Sequence, residues 1–202
     1  PVTVKLLRTF ATPEWDDALC AFLTGSMAIK RLNPQERLMR EIPVALPDGG
    51  QLSLSAGGQN LLVKKVIEEF CSRFTPGGML IYVGDASDKW KHCDADYLAR
   101  LGVMVDEHGK MPDLVVHYKA KNWLVLVEAV TSHGPVNLKR LNELKCLFGT
   151  SQAGLVFVTA FLRRRELLKY LGDIAWETEV WVAESPTHMI HFNGERFLGP
   201  YQ

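Results

Sequence analysis

Residues 111–136 read MPDLVVHYKAKNWLVLVEAVTSHGPV, and the pairing of the two apolar runs inside them decides the fold. Leu114–Tyr118 and Trp123–Val130 flank the polar Lys119-Ala120-Lys121-Asn122, the pattern of a β-hairpin closed by a four-residue loop. A symmetric loop makes the numbers of facing residues sum to 241, so Tyr118 faces Trp123 and Asp113 faces Glu128. Directly opposed side chains of an antiparallel pair have Cβ atoms roughly 5 Å apart, where like charges repel. A divalent cation between the two carboxylates is the expected neutraliser. Glu128 also interrupts an apolar strand, where an ionised carboxylate is costly unless it is paired or bound to metal.

Outward from the hairpin, helices and buried strands alternate. Upstream, Leu62, Val63, Val66, Ile67, Phe70 and Phe74 recur at helical spacing over residues 59–74, and Pro76-Gly77-Gly78 stops that helix. Met79–Val83 is a short, wholly apolar strand, as expected of one covered on both faces. A helix is predicted over about 94–101. Downstream, Gly134-Pro135 opens a helix with Leu138, Leu141, Leu144 and Phe148 on one face, followed by an apolar strand over Gly154–Phe161. A basic helix over 163–171, an alternating strand over 178–184 and a last strand over 188–192 complete the chain. Trp176, Glu177, Glu179 and Trp181 alternate as if packed against the sheet. This order predicts an α/β class, a mixed central sheet flanked by helices.

Residues 1–50 are read as an N-terminal helical appendage, with short helices from Pro13 to about Leu23 and from Asn33, and residues 51–202 as the main domain. With 202 residues, 47% apolar and 23% charged, the chain is long enough to bury a full core. No apolar run approaches the roughly 20 residues of a membrane span, and no signal-peptide pattern is present, so a cytoplasmic protein with no membrane partner is expected. Cys20, Cys71, Cys93 and Cys146 form no CxxC pair and read as reduced, structural thiols. The 23 basic and 23 acidic residues cancel, so any basic surface is local.

A strand opened by Pro112-Asp113 beside a strand carrying Glu128 resembles the PD-(D/E)xK nuclease superfamily, whose αβββαβ core order matches residues 59–159. Five segments are more specific. Tyr82-Val83-Gly84-Asp85 with Lys89, Met111-Pro112-Asp113, Glu128-Ala129-Val130-Thr131-Ser132-His133-Gly134-Pro135, Trp176-Glu177-Thr178-Glu179-Val180-Trp181 and His191-Phe192-Asn193-Gly194 occur in this order. Together they resemble the BsuBI/PstI family of type II restriction endonucleases over about residues 30–202. The resemblance implies a homodimer that cuts double-stranded DNA at the palindrome CTGCAG with Mg²⁺, and family members usually carry a longer N-terminal helix-turn-helix type domain; with only about 50 residues there, this chain reads as either a shortened relative, residues 1–50 being what remains of that DNA-recognition domain, or a fragment. It makes Asp113 and Glu128 the Mg²⁺ ligands.

The chain departs from the superfamily at Val130, where a lysine two positions after the second acid is usual. Lys119 and Lys121 lie at the hairpin tip, about 20 Å from the acids at roughly 3.3 Å per residue, and cannot substitute. Lys89, just past the first core strand and matching a lysine of the family, and Lys139, early in the following helix, are the two candidate catalytic cations. Asp85 reads either as a turn residue or as a third metal ligand, and Glu69, or its neighbour Glu68, as a surface charge or a ligand from the first helix. Ser132 and His133, between a strand end and a helix start, are candidate DNA contacts, because backbone N–H groups there favour anions. Arg163, Arg164 and Arg165 put three guanidinium groups in a row, a candidate phosphate clamp that helix solubility also explains. Two further readings stay open: a non-catalytic DNA-binding module that retains the nuclease fold, favoured by Val130, and a Mg²⁺ hydrolase of RNA or branched DNA.

Overall fold

The computed structural model describes residues 9–10, 12–30, 41–46, 49–85, 90, 92–105, 109–131 and 134–193. Lys89, Ser132, His133 and the helix expected from Asn33 lie outside the described residues. The chain forms two units, Pro1–Glu41 and Ile42–Gln202.

In the first unit, helix α1 spans Trp15–Lys30, past the end expected near Leu23. Asp16 and Asp17 occupy its first turn, where negative charge suits the exposed N–H groups.

The second unit opens with a hairpin, β1 (Ile42–Ala45) paired with β2 (Gln51–Leu54). This compact unit begins at Ile42, ahead of the residue 51 start expected for the main domain, and Val44 and Leu54 are buried in the same core cluster, so β1 packs with it. Helix α2 follows as Gly58–Lys65, a π-helical turn Val66–Phe70, and Cys71–Phe74. A Cβ on Gly78 would meet Thr75 O at 2.8 Å and Val116 Cγ1 at 2.9 Å, so glycine is what lets the chain turn from α2 into the sheet this closely.

A mixed sheet of seven strands has the order β4-β3-β5-β6-β7-β8-β9. Its strands are β3 (Met79–Val83), β4 (His92–Cys93), β5 (Leu114–Tyr118), β6 (Trp123–Val130), β7 (Gly154–Phe161), β8 (Thr178–Val182) and β9 (Met189–Phe192). The pairs β6·β7 and β7·β8 are parallel and the others antiparallel. The short edge strand β4 is an addition to the sequence reading. The hairpin register is as expected, from Tyr118↔Trp123 through Leu114↔Val127. A single 3₁₀ turn over Lys119–Lys121 and left-handed Asn122 close it.

Alternation along the strands sorts the core into two layers. Leu114, Val116, Val125, Val127 and Ala129 pack with Leu62, Val63, Val66 and Ile67 of α2. Val115, Leu124 and Leu126 pack on the opposite face with Leu98 of α3 (Ala95–Arg100) and with Leu141, Leu144 and Phe148 of α4 (Leu138–Phe148). Helix α4 begins three residues later than its Gly-Pro signal suggests, because the Asn137 side chain accepts from Arg140 N at 2.8 Å and caps it. This start rotates Leu138 outward to 68% exposure, off the face expected for it. Helix α5 (Arg164–Tyr170) packs through Leu167 against Val130, Phe161 and Val180. Trp181 is fully buried, whereas Trp176 is 70% exposed and Glu177 adopts φ 61°, so the expected alternating pattern breaks before β8 begins.

Cys71 is buried, and burial pushes its thiol up to about 12, against the opposing effect of Thr75, as suits a packing residue. Cys20 and Cys146 are exposed. Among the described residues, no helix is long and apolar enough to cross a membrane.

Candidate active site

The sheet brings its chemistry-bearing residues to one edge. Because β6 runs antiparallel to β5 and parallel to β7, that edge collects the beginning of β5 and the ends of β3, β6 and β7. Asp113 precedes β5, and Gly84, after β3, donates its N–H to Asp113 O at 2.8 Å. Glu128 lies in β6 next to Val127, the partner of Leu114, so continuing the register sets Asp113 opposite Glu128.

Two contacts fix the Asp113 carboxylate. Oδ2 accepts from Ala129 N at 2.7 Å, and Oδ1 accepts from Gln59 Nε2 at 2.6 Å. Gln59, in the first turn of α2, thus reaches across to the acid from the next layer. On Glu128, Arg140 Nε donates to Oε1 at 2.7 Å, and Nη2 lies 2.6 Å from the same oxygen. Arg140 Nη2 also donates to Met111 O at 3.0 Å, while Nη1 pairs with Glu143 Oε2 at 3.3 Å. Lys110 Nζ lies 3.3 Å from Glu143 Oε1. The Arg140 and Glu128 side chains are only 17% and 15% exposed. Burial raises the Glu128 carboxyl from 4.5 to about 7, the charge of Asp113 adds to the rise, and Arg140 opposes it.

These residues line an open cleft of about 450 Å³, with Asp113, Glu128, Lys139, Arg140 and Glu143 around its wall and Gly134-Pro135 at its rim. Of the residues singled out from sequence, the structure brings Asp113, Glu128 and Lys139 together here. Asp85 and Glu69 are not among the lining residues. The Asp85 carboxylate, 2% exposed, accepts from Ser55 N and Ser55 Oγ, both at 2.6 Å, and ties the end of β2 to the end of β3. Glu69 pairs with Lys65 at 2.7 Å within α2, and Glu68 accepts from Ala45 N at 3.0 Å. Lys119 and Lys121 stay at the hairpin tip, over the rings of Tyr97 and Trp123.

Two residues escaped the sequence reading. Arg140 carried a detectable signal, a cation one position from Lys139 in a helix starting just after Glu128. The packing of Leu141, Leu144 and Phe148 on the sheet selects which of the two neighbours, about 100° apart around the helix, meets the acid. Gln59 carried none, since nothing in its own segment reports on β5.

Arg163, Arg164 and Arg165 are exposed where β7 ends, at the same sheet edge as Glu128, because Glu128 pairs with Thr159 and Val130 with Phe161. Arg164 N donates to Glu184 Oε1 at 2.8 Å. A second cleft, about 320 Å³, lies between Arg164, Ser185, His188 and β8–β9.

A divalent ion fits the donor set at Asp113 and Glu128. Both are hard carboxylate oxygens, and Mg²⁺ commonly takes one or two protein carboxylates, completing its shell with water and substrate phosphate. Among the described residues, no cluster of three or more His, Cys, Asp or Glu is placed to hold a metal.

Comparison with known proteins gives one consistent result. The model of the BsuBI/PstI restriction endonuclease domain matches residues 42–195. The chain is 47% identical over 200 residues to the type II restriction enzyme BsuBI of Bacillus subtilis, covering 99% of this chain and 63% of that protein. It is 30% identical over 200 residues to the type II restriction enzyme AplI of Arthrospira platensis, covering 96% of this chain and 61% of the relative. The solved structure of SdaI restriction endonuclease superposes with a TM-score of 0.75 at 41% identity, covering all of this chain and 63% of that one. The chain thus spans a little under two-thirds of the length of each relative. The SdaI superposition accords with the α/β nuclease-type core expected from sequence.

Proposed function

The chain belongs to the BsuBI/PstI restriction endonuclease domain family, and we propose that it is the cleaving part of a type II restriction endonuclease acting on double-stranded DNA with Mg²⁺. The observation that carries this reading is the Asp113–Glu128 pair, two carboxylates from neighbouring strands in one cleft with Lys139 and Arg140. Asp113 and Glu128 would hold the ion, which when bound polarises the scissile phosphate and makes water a stronger nucleophile. The chain's own residues then divide the remaining work. Gln59 and the Ala129 N–H hold Asp113 in one orientation. Lys139 and Arg140 supply positive charge to the phosphate as its negative charge grows. Lys89 remains a further candidate cation, and Asp85 and Glu69 stand as more remote candidate ligands whose carboxylates already hold Ser55 and Lys65.

Arg163, Arg164 and Arg165 with Ser132 and His133 are the proposed DNA contacts. Guanidinium groups pair well with phosphate oxygens, and the arginines lie on the edge that holds the acids. A CTGCAG-like palindrome and a homodimer complete the proposal, since a two-fold pair places one active site on each strand. A cytoplasmic location accords with the substrate.

Plasmid DNA incubated with the protein and Mg²⁺, with the ends sequenced, tests the reading. Discrete ends at one palindrome, lost in Asp113→Ala, are expected. Intact plasmid together with retained gel-shift binding would replace it with the non-catalytic DNA-binding reading, and cleavage restricted to RNA or branched DNA with the Mg²⁺ hydrolase of those substrates.

A further inference from the structure

We infer that Arg140 and a divalent cation are alternative partners of the Glu128 carboxylate, and that the ion, on binding, releases Arg140 to the scissile phosphate. The inference rests on the proposed role of Asp113 and Glu128 as the metal-holding pair.

The superfamily position for a cation on β6 is Val130, and this side chain is buried against Phe161 and Leu167, so β6 cannot provide the charge. Helix α4 provides it instead. Two of the Arg140 donors converge on the single oxygen Oε1 of Glu128. A hard cation seeks that carboxylate too, and a dication beside a guanidinium in the cleft repels it. Arg140 has somewhere to rest in the exchange, because Met111 O and Glu143 already hold its Nη2 and Nη1. Glu143 is itself shared with Lys110. An incoming phosphate restores a negative partner in the cleft, and its oxygens match the planar fork of an arginine. Arg140 therefore pairs with Glu128 before the ion arrives and serves the substrate afterwards.

Competition of this kind predicts effects of opposite sign, which a merely structural arginine would not produce. Mn²⁺ binding without DNA is measured by electron paramagnetic resonance on wild type, Arg140→Met, Arg140→Lys and Asp113→Asn, alongside plasmid cleavage. Arg140→Met should bind Mn²⁺ about tenfold tighter or more, the scale on which a neighbouring charge shifts a carboxylate equilibrium. The same variant should cleave about a hundredfold more slowly, as when one charge-stabilising donor is removed from an active site. Arg140→Lys should bind Mn²⁺ like wild type and keep part of the cleavage.

Unchanged or weaker Mn²⁺ binding by a folded Arg140→Met, with wild type binding normally, overturns the inference and leaves the metal pair standing. Wild type that binds no Mn²⁺, or Asp113→Asn that binds as well as wild type, overturns the metal pair and the inference with it. Should Arg140→Met fail to fold, the Arg140 Nε–H resonance of ¹⁵N-labelled wild type decides. It should leave its ion-paired position as Ca²⁺ is added, and a resonance that stays there under saturating Ca²⁺ overturns the exchange.

Discussion

Replacing Glu128 by glutamine should make the metal-free protein progressively more stable, relative to wild type, as pH rises. The Glu128 carboxyl titrates at about 7 in the fold, against 4.5 for the free group, chiefly because it is buried and faces Asp113. A group with a raised folded pKa contributes stability that is fully present below the unfolded value and is lost as pH climbs through the folded value. For Glu128 that window runs from 4.5 to about 7. At about 1.36 kcal/mol per pH unit, the whole interval is worth about 3 kcal/mol, of which about 2.5 kcal/mol falls between pH 5 and 8.5. Because the Glu128 side chain is only 15% exposed, solvent screening takes little from this value.

Glutamine keeps the shape and an acceptor for Arg140 but does not titrate, and every other ionisable group is common to both proteins. The pH dependence of the difference between Glu128→Gln and wild type therefore reports the Glu128 carboxyl together with its coupling to Asp113, whatever the variant's stability at the reference pH. Urea unfolding in EDTA, at half-unit steps from pH 5 to 8.5, measures it. A difference that stays flat across this range, or that falls with pH, refutes the assignment of Glu128 as a strained carboxylate and shows that the Arg140 ion pair outweighs burial and Asp113.

Two other outcomes follow from the packing. Ser55→Ala removes the hydroxyl that Asp85 accepts at 2.6 Å from a site where the carboxylate is nearly inaccessible, so unfolding free energy should drop by about 1–3 kcal/mol, measured by urea denaturation. On α4, Leu144→Ala should cost about 2–5 kcal/mol by thermal or urea melts, whereas Leu138→Ala on the solvent side of the same helix should stay within about 0.5 kcal/mol.

The hairpin, its register and the α/β class were legible because their information is local. Alternation of apolar residues, a short polar loop and the period of two along a strand set which residues face one another, and no other part of the chain enters that arithmetic. The Pro43 region shows the opposite case. Ile42–Ala45 has no strand pattern distinguishable from its surroundings, and only its pairing with Gln51–Leu54 and the burial of Val44 attach it to the larger unit. The edge strand His92–Cys93 is likewise too short to announce itself and exists through its pairing with Tyr82 and Val83. Trp176 illustrates a third limit, since alternation predicts burial but a positive φ at Glu177 breaks the alternation before the strand starts.

At the candidate site, the chain alone determined which acids meet. Asp113 immediately precedes β5 and Glu128 lies in β6, strands joined by one tight turn, so counting outward from that turn places them, and the empty lysine position at Val130 can be read from the same count. The tertiary structure decided what surrounds them. Gln59 reaches Asp113 from a residue separation of 54, and Arg140 reaches Glu128 because the burial of Leu141, Leu144 and Phe148 sets the rotation of α4 on the sheet. The tertiary structure also gave Asp85 and Glu69, candidate ligands on paper, partners in Ser55 and Lys65. The physical reason is the range of the forces involved. Strand register propagates residue by residue along the backbone, whereas the partner of a buried charge is set by how whole helices dock on the sheet.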